Sequence, residues 1–262
     1  MITSKQNSKL KLVRALFGRS KEREEAGAFV AEGVRLVEEA FTAAWPVRFV
    51  LYSDGLSERG QMLVAKLNAS GADLEDVSAD LLQSLSETDT SQGILAVLNN
   101  HQLPLPPTPD FLLIPDQIRD PGNLGTLIRS AAAAGVGAVL IPPETTDAFA
   151  PKVVRAAMGA HFRLPVRTTS WDEITQVTRS AGLKVFLADM DGPSFWNTDL
   201  RASLALIVGS EAEGASPAAR SLAGQNISVP MPGQAESLNA GVAGSILMFE
   251  VVRQRSIRNP TI

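Results

Sequence analysis

The chain has 262 residues, 45% of them hydrophobic, a formal net charge of −4, no cysteine, and only His101 and His161 as histidines. Disulfides, thiolate nucleophiles and Cys-ligated zinc are therefore excluded, and the acidic balance speaks against indiscriminate coating of nucleic acid. No apolar run reaches the roughly 18 residues that span a bilayer, and no apolar segment of roughly 7–15 residues follows Lys5, Lys9 and Lys11, so a cytoplasmic protein is expected.

In chain order, the first 23 residues carry Lys5, Lys9, Lys11, Arg14, Arg19, Lys21 and Arg23 against the single acid Glu22, which marks either a solvated helix face or a patch for RNA. Amphipathic spacing predicts helices around Leu10–Leu16, Leu36–Phe41 and Met62–Leu67. Short apolar runs predict strands at Phe29-Val30-Ala31, Val47–Tyr52 and Ile94–Leu98. Together they predict a small α/β domain over residues 1–98. Pro104, Pro106, Pro107 and Pro109 remove amide donors and fix φ, so residues 99–110 are expected to form a linker. Strand-like runs at Phe111–Ile114, Ala138–Ile141, Val185–Ala188 and Leu204–Val208 then alternate with helical segments starting at Leu124, Val153, Trp171 and Pro217. Such alternation predicts a parallel sheet covered by helices over residues 111–262, with ligands bound beyond the carboxyl ends of its strands.

Three loops at such positions carry glycine and small polar residues. The first runs from Asp116 to Arg129, with Pro121-Gly122 as a turn and Asn123 as the expected N-cap of the following helix. Asn123 and Arg129 lie about 120° apart on a helix, so joint work requires Asn123 in the loop and Arg129 in the second turn, reaching back. The second loop, Val208 to Gly214, places glycines on both sides of Glu211. The third runs from Val229 to Asn239, where Ser237 and Asn239 stand at the mouth of an apolar helix, Ala240–Val252, with Val229, Met231 and Leu238 available to flank a flat aromatic ligand. Each loop alone also fits an ordinary capped helix. A nicotinamide-binding fold is disfavoured, because a Gly-x-Gly-x-x-Gly run after a first strand is missing.

The motifs Asn123-x-Gly125-x-x-x-Arg129, Gly209-x-Glu211-x-x-Gly214, and Pro230-Met231 followed by Ser237-Leu238-Asn239 resemble, in order and spacing, those of the SpoU/TrmH family of RNA 2′-O-ribose methyltransferases, in the SPOUT superfamily. The stretch Glu32-Gly33-x-x-Leu36-Val37-x-Glu39-Ala40, with Ser8-Lys9, is similar to the RNA-binding domain that precedes the catalytic domain in ribosomal RNA methylases of that family. The resemblance implies a C-terminal domain with a deep trefoil knot, S-adenosylmethionine as methyl donor, no metal, and a homodimer. It implies ribosomal RNA as substrate, 23S rRNA foremost, with transfer RNA as the alternative. Carried over by motif, Gly209, Val229, Met231, Ser237 and Leu238 would bind the donor, and Asn123, Arg129, Glu211 and Asn239 would form the catalytic set. An arginine pKa above about 12 makes literal base action by Arg129 difficult, so a clamp on RNA phosphate and developing oxyanion is the expected role. Asn123 and Asn239 would position the ribose and the loops, and Glu211 would organise the donor pocket. A non-catalytic RNA-binding protein is the remaining reading, against which stand the retained motif residues.

Overall fold

The computed structural model describes residues 2–86, 90–210, 213–233 and 237–257. Contacts divide the chain into two compact units, one of Met1–His101 with Phe149–Phe162, the other of Gln102–Ala148 with Arg163–Ile262.

The first unit contains α1 (Ser8–Phe17), α2 (Ser20–Ala26), β1 (Ala28–Glu32), α3 (Val34–Thr42), β2 (Val47–Tyr52), α4 (Glu58–Ala69), β3 (Leu74–Asp76), α5 (Ala79–Gln83) and β4 (Ile94–Asn99). Its sheet has the order β1-β4-β2-β3, with β4 antiparallel to both β1 and β2 and β3 parallel to β2. One face is built by period: Leu10, Val13 and Leu16 of α1 lie on Ala28 and Val30 of β1, Phe49 and Leu51 of β2, and Leu95 and Val97 of β4. The other face of β1 is covered too, so its five residues are all buried. There Phe29 meets Phe149 at 4.9 Å between ring centroids, and Trp45 meets Phe162 at 5.2 Å. Phe149 and Phe162 bracket α7 (Pro151–Ala157), whose Arg155 pairs with the buried Glu32 at 3.3 Å. The sequence assigned 149–162 to the domain starting at residue 111; these side-chain contacts group it with the first unit instead.

The predicted basic patch is partly spent on structure. Arg23 is buried and donates to the carbonyls of Leu16 and Gly18, at 2.7 and 3.0 Å. Lys9 is bound to Asp73 at 2.6 Å and Glu75 at 2.9 Å, and these carboxylates hold its pKa above the ordinary lysine value despite the opposing effect of burial. Lys5, Lys11, Arg14, Arg19 and Lys21 remain exposed, Arg14 donating to the Lys5 carbonyl and Lys21 pairing with Glu25.

The second unit contains β5 (Phe111–Pro115), α6 (Pro121–Ala133), β6 (Ala138–Ile141), β7 (Val166–Thr168), α8 (Trp171–Ser180), β8 (Lys184–Ala188), β9 (Leu204–Val208), α9 (Pro217–Leu222), β10 (Gln225–Ile227) and α10 (Ala240–Ser256). Its strands form a parallel sheet of order β10-β8-β9-β5-β6-β7. Parallel strands are sandwiched by helices, which is why β5 and β9 read as unbroken apolar runs and are buried throughout. On one face Leu112, Ile114, Leu140, Leu187 and Ile207 pack with Ile174 of α8 and Ala219 of α9. Against the other lie α6 and α10, in contact with each other, with Leu127 and Val208 beside Gly244. Among the described residues no helix is long and apolar enough to cross a membrane.

Candidate active site

All four strands β8, β9, β5 and β10 end on the same side of the sheet, because they are parallel, and their loops converge there. A cavity of about 380 Å³ opens at these ends, lined by Ala188 and Asp189 at the end of β8, Val208, Gly209 and Ser210 at the end of β9, and Ile227 to Val229 at the end of β10. Met231, Ser237 and Leu238 complete it, with Ala240, Ala243 and Leu247 of α10. The five residues proposed from sequence for the donor, Gly209, Val229, Met231, Ser237 and Leu238, thus stand around one cavity. A groove of about 470 Å³ beside Leu105–Pro109 carries no charged side chain and offers no comparable chemistry.

The wall at Gly209 is backbone folded on backbone. Ser210 and Gly214 exchange two N–H···O bonds of 3.0 Å, and a Cβ on Gly209 would come within 2.9 Å of the Gly214 carbonyl. Only glycine leaves room for that approach. Glu211 lies outside the described residues. Its neighbour Glu213 lines the cavity and takes both Nη atoms of Arg119, at 3.1 and 3.0 Å, which ties the second loop to the first. Across the cavity Asp189 binds Arg220 at 2.9 Å, and Asp191 lies next to them. Three carboxylates against the two guanidiniums of Arg220 and Arg119 leave an excess of one negative charge here.

The first and third loops meet through side chains. Asn239 Nδ2 donates to Asn123 Oδ1 at 2.7 Å, while Asn239 Oδ1 caps α10 by accepting from the Val242 amide at 3.2 Å. Three further contacts continue this seam: Gly241 backs onto Thr126, Gly244 onto Leu127, and Ser245 Oγ donates to Ser130 Oγ at 2.7 Å. Residues 123, 126, 127 and 130 are the i, i+3, i+4, i+7 stripe of α6.

Two expectations about α6 are corrected. Asn123 is not the N-cap: Asp120 is, its carboxylate accepting from the Asn123 amide at 2.8 Å, with Pro121 in the first helical position. Asparagine loses to aspartate here because proline has no amide to satisfy and fits the first helical φ, which sets the cap one residue before it. Asn123 therefore belongs to the first helical turn rather than the loop, and Arg129 lies in the third turn, not the second. The two point about 120° apart. Asn123 faces α10, whereas Arg129 is exposed with no ion-pair or hydrogen-bond partner among the described residues.

Sequence reasoning passed over Asp116, Arg119, Asp189, Glu213 and Arg220. The signal was available for Asp189, which directly follows the predicted strand Val185–Ala188, and for Asp116, which lies two residues after the predicted strand Phe111–Ile114. Asp116 is fully buried, its Oδ2 accepting from the Ser216 amide at 2.7 Å. Burial raises its pKa, the Ser216 bonds act against that rise, and the nearby Glu144 adds to it. Among the described residues no group of three or more His, Asp or Glu side chains is arranged to hold a metal ion.

Residues 110–249 match the SpoU rRNA Methylase family, and residues 7–96 match the MRM3-like substrate binding domain. The chain is 36% identical to the 23S rRNA (guanosine(2553)-2′-O)-methyltransferase RlmP of Bacillus subtilis, over 95% of this chain and 98% of that one. It is 34% identical to the 23S rRNA (uridine(2479)-2′-O)-methyltransferase of Streptomyces viridochromogenes, over 97% and 92%. Among solved structures it resembles the SpoU methyltransferase AviRb of Streptomyces viridochromogenes in complex with AdoMet, with a TM-score of 0.84 at 31% identity, covering 95% of this chain and 99% of the other. The AdoMet-bound rRNA methyltransferase of Sinorhizobium meliloti gives the same TM-score and identity, covering 96% and 97%. With the family matched over more than half its length and full-length relatives above 30% identity, this chain belongs to the SpoU rRNA methylase family.

Proposed function

We infer that this protein transfers the methyl group of S-adenosylmethionine to a ribose 2′-hydroxyl of ribosomal RNA. The observation that carries this reading is the meeting of three separated motifs: the second and third line one cavity, and the first is bonded to the third through Asn123 and Asn239. The full-length relatives named above, both 23S rRNA 2′-O-methyltransferases, favour 23S rRNA over transfer RNA as substrate.

The cavity residues fit the donor. Val229, Met231 and Leu238 offer apolar surfaces to an adenine ring, Gly209 admits close approach to the backbone, and the carboxylates of Asp189, Asp191 and Glu213 complement a cation. Bound there, S-adenosylmethionine supplies an activated methyl on a sulfonium, so the protein's own task is to make a weakly acidic sugar hydroxyl nucleophilic and align it. Arg129, exposed and without a partner among the described residues, clamps an RNA phosphate and stabilises charge growing on the 2′-oxygen. Asn123 and Asn239 hold the ribose-facing ends of α6 and α10 together, and Glu211 organises the donor pocket. The domain over residues 7–96 binds RNA, aided by the exposed basic residues Lys5, Lys11, Arg14, Arg19 and Lys21 at the N-terminal end of the chain.

Because Asn123 and Arg129 diverge on α6, a homodimer in which Arg129 completes the partner's site accounts for both. Val242 and Phe249, 45% and 48% exposed and seven residues apart on α10, supply an apolar stripe for that pairing. A trefoil knot is in keeping with the path of the chain, which leaves β10 at one edge of the sheet and returns in α10 to lie on α6. A cytoplasmic location goes with a ribosomal substrate.

The decisive experiment maps 2′-O-methyl positions in ribosomal RNA from cells with and without the protein, then presents the mapped site to the purified protein as RNA carrying a single deoxynucleotide. Labelling should be lost at that deoxynucleotide, since the acceptor oxygen is gone. Methyl transfer that persists there places the chemistry on a base and defeats this reading.

A further inference from the structure

Asp116 ends β5, the strand lying between β9 and β6, and no part of it is exposed. Oδ2 accepts the Ser216 amide at 2.7 Å, while Oδ1 is buried with no hydrogen-bond partner among the described residues. Keeping a carboxylate in such a place is costly, and burial raises its pKa accordingly.

What the bond holds is the end of the second motif's loop. Ser216 is the N-cap of α9, and just before it Ser210 pairs with Gly214 while Gly209 packs on Gly214 and Ala215. Gly209, Ser210, Gly214 and Ala215 are cavity wall. The same first loop grips this wall a second time, at the surface, through Arg119 and Glu213. The surface tie is exposed to solvent and weak by nature; the buried one is not.

We propose that Asp116 is a positioning residue for methyl transfer: its buried carboxylate anchors the cavity wall of Gly209, Ser210, Gly214 and Ala215 to the central strand, without touching donor or RNA. The proposal rests on the assignment of that cavity to the donor. Its consequence is that removing the acceptor loosens the donor site and spares RNA binding, because the RNA-facing residues of α6 are held by other bonds, Asp120 to Asn123 and Asn123 to Asn239.

The test measures equilibrium binding of S-adenosylmethionine and of an unmodified ribosomal RNA fragment, steady-state kinetics and thermal melting for the full chain, Asp116→Ala and Asp116→Asn. Asp116→Ala should raise the donor Kd and KM by about tenfold to a hundredfold, as expected for a buried amide left unsatisfied, while the RNA Kd stays within about twofold. Asp116→Asn, which keeps an acceptor at the same place, should restore donor binding to within about threefold of the parent and melt no lower at neutral pH. Should Asp116→Ala not fold, Asp116→Ser, too short to reach the Ser216 amide, gives the same reading. Unchanged donor affinity in the truncated variant overturns the proposal. So does a parallel loss of donor binding, RNA binding and thermal stability in both variants, which would make Asp116 a fold residue only. If the unsubstituted protein itself fails to bind donor, the cavity assignment falls first.

Discussion

Gly244→Ala sets two known effects against each other at the seam that joins α6 to α10. A Cβ at residue 244 would stand 2.4 Å from Leu127 Cδ2 and 3.1 Å from Val208 Cγ2, where ordinary contact begins at 3.4 Å. Leu127 and Val208 are both buried, so the leucine methyl must move about 1 Å into packed surroundings or α10 must lift. Overpacking of this kind costs about 1–3 kcal/mol. Alanine is favoured over glycine inside a helix by about 0.8–1.0 kcal/mol. The net expectation is a loss of about 1 kcal/mol, or roughly 2–4 °C in Tm for a unit of this size. Lifting α10 also draws Asn239 away from Asn123, so donor affinity and turnover should fall with Tm. Scanning calorimetry of parent and variant, with donor titration on each, reads both. A variant that melts above the parent means that helix propensity acts unopposed, and the tight α6–α10 seam is then refuted.

Arg129→Ala should lower kcat on the order of 10²–10³-fold while donor Kd changes by less than about threefold, the split expected of a group that acts on the transition state rather than on bound donor; a comparable loss of donor affinity contradicts the clamp. Asn123→Ala and Asn239→Ala should each reduce stability, Asn239→Ala by about 0.5–2 kcal/mol through loss of its cap, and the double-mutant cycle in urea should show a coupling of at least about 0.5 kcal/mol; additivity would mean their bond contributes nothing. Glu250 accepts from Arg253 and Gln254, and these bonds, the Arg253 one first, hold its pKa below the ordinary 4.5. A lowered carboxylate contributes stability above its unfolded pKa and loses it as pH falls through the folded one. Glu250→Gln should therefore weaken the protein at neutral pH, and urea melts of parent and variant should converge below about pH 4; curves that stay parallel would count against the pairing.

How much of this was readable beforehand depends on how local the determinant is. The strand Val47–Tyr52 and the helix face Leu10, Val13, Leu16 follow from periodicity within single segments, and the structure has them at those places. Three-residue strands such as Leu74–Asp76 and Gln225–Ile227 carry too little pattern of their own and exist because a neighbouring strand pairs with them. The motif residues around the cavity could be named from spacing and family resemblance. Asp189 was legible as the residue that follows a predicted strand, but its pairing with Arg220 was not, since that meeting depends on β8 lying between β9 and β10. Asp120 was legible and was passed over in favour of Asn123, although an Asp-Pro pair before an apolar helix is the stronger cap signal. Lys9 and Arg23 counted as free charges in the sequence because nothing near them in the chain reveals Asp73, Glu75 or the carbonyls of Leu16 and Gly18.

The discontinuity of the first unit bears on how the chain folds as it is made. Its β1 lacks the cover of Phe149 and Phe162 until about 60 residues after His101 have been translated. At roughly 5–20 residues per second that is a wait of about 3–12 s, during which β5 and β6 emerge while Phe29 and Trp45 still face water. Cutting the gene at the proline-rich stretch would give one fragment with a bare aromatic face and another with a stranded apolar helix, so neither half of the chain is a natural expression unit.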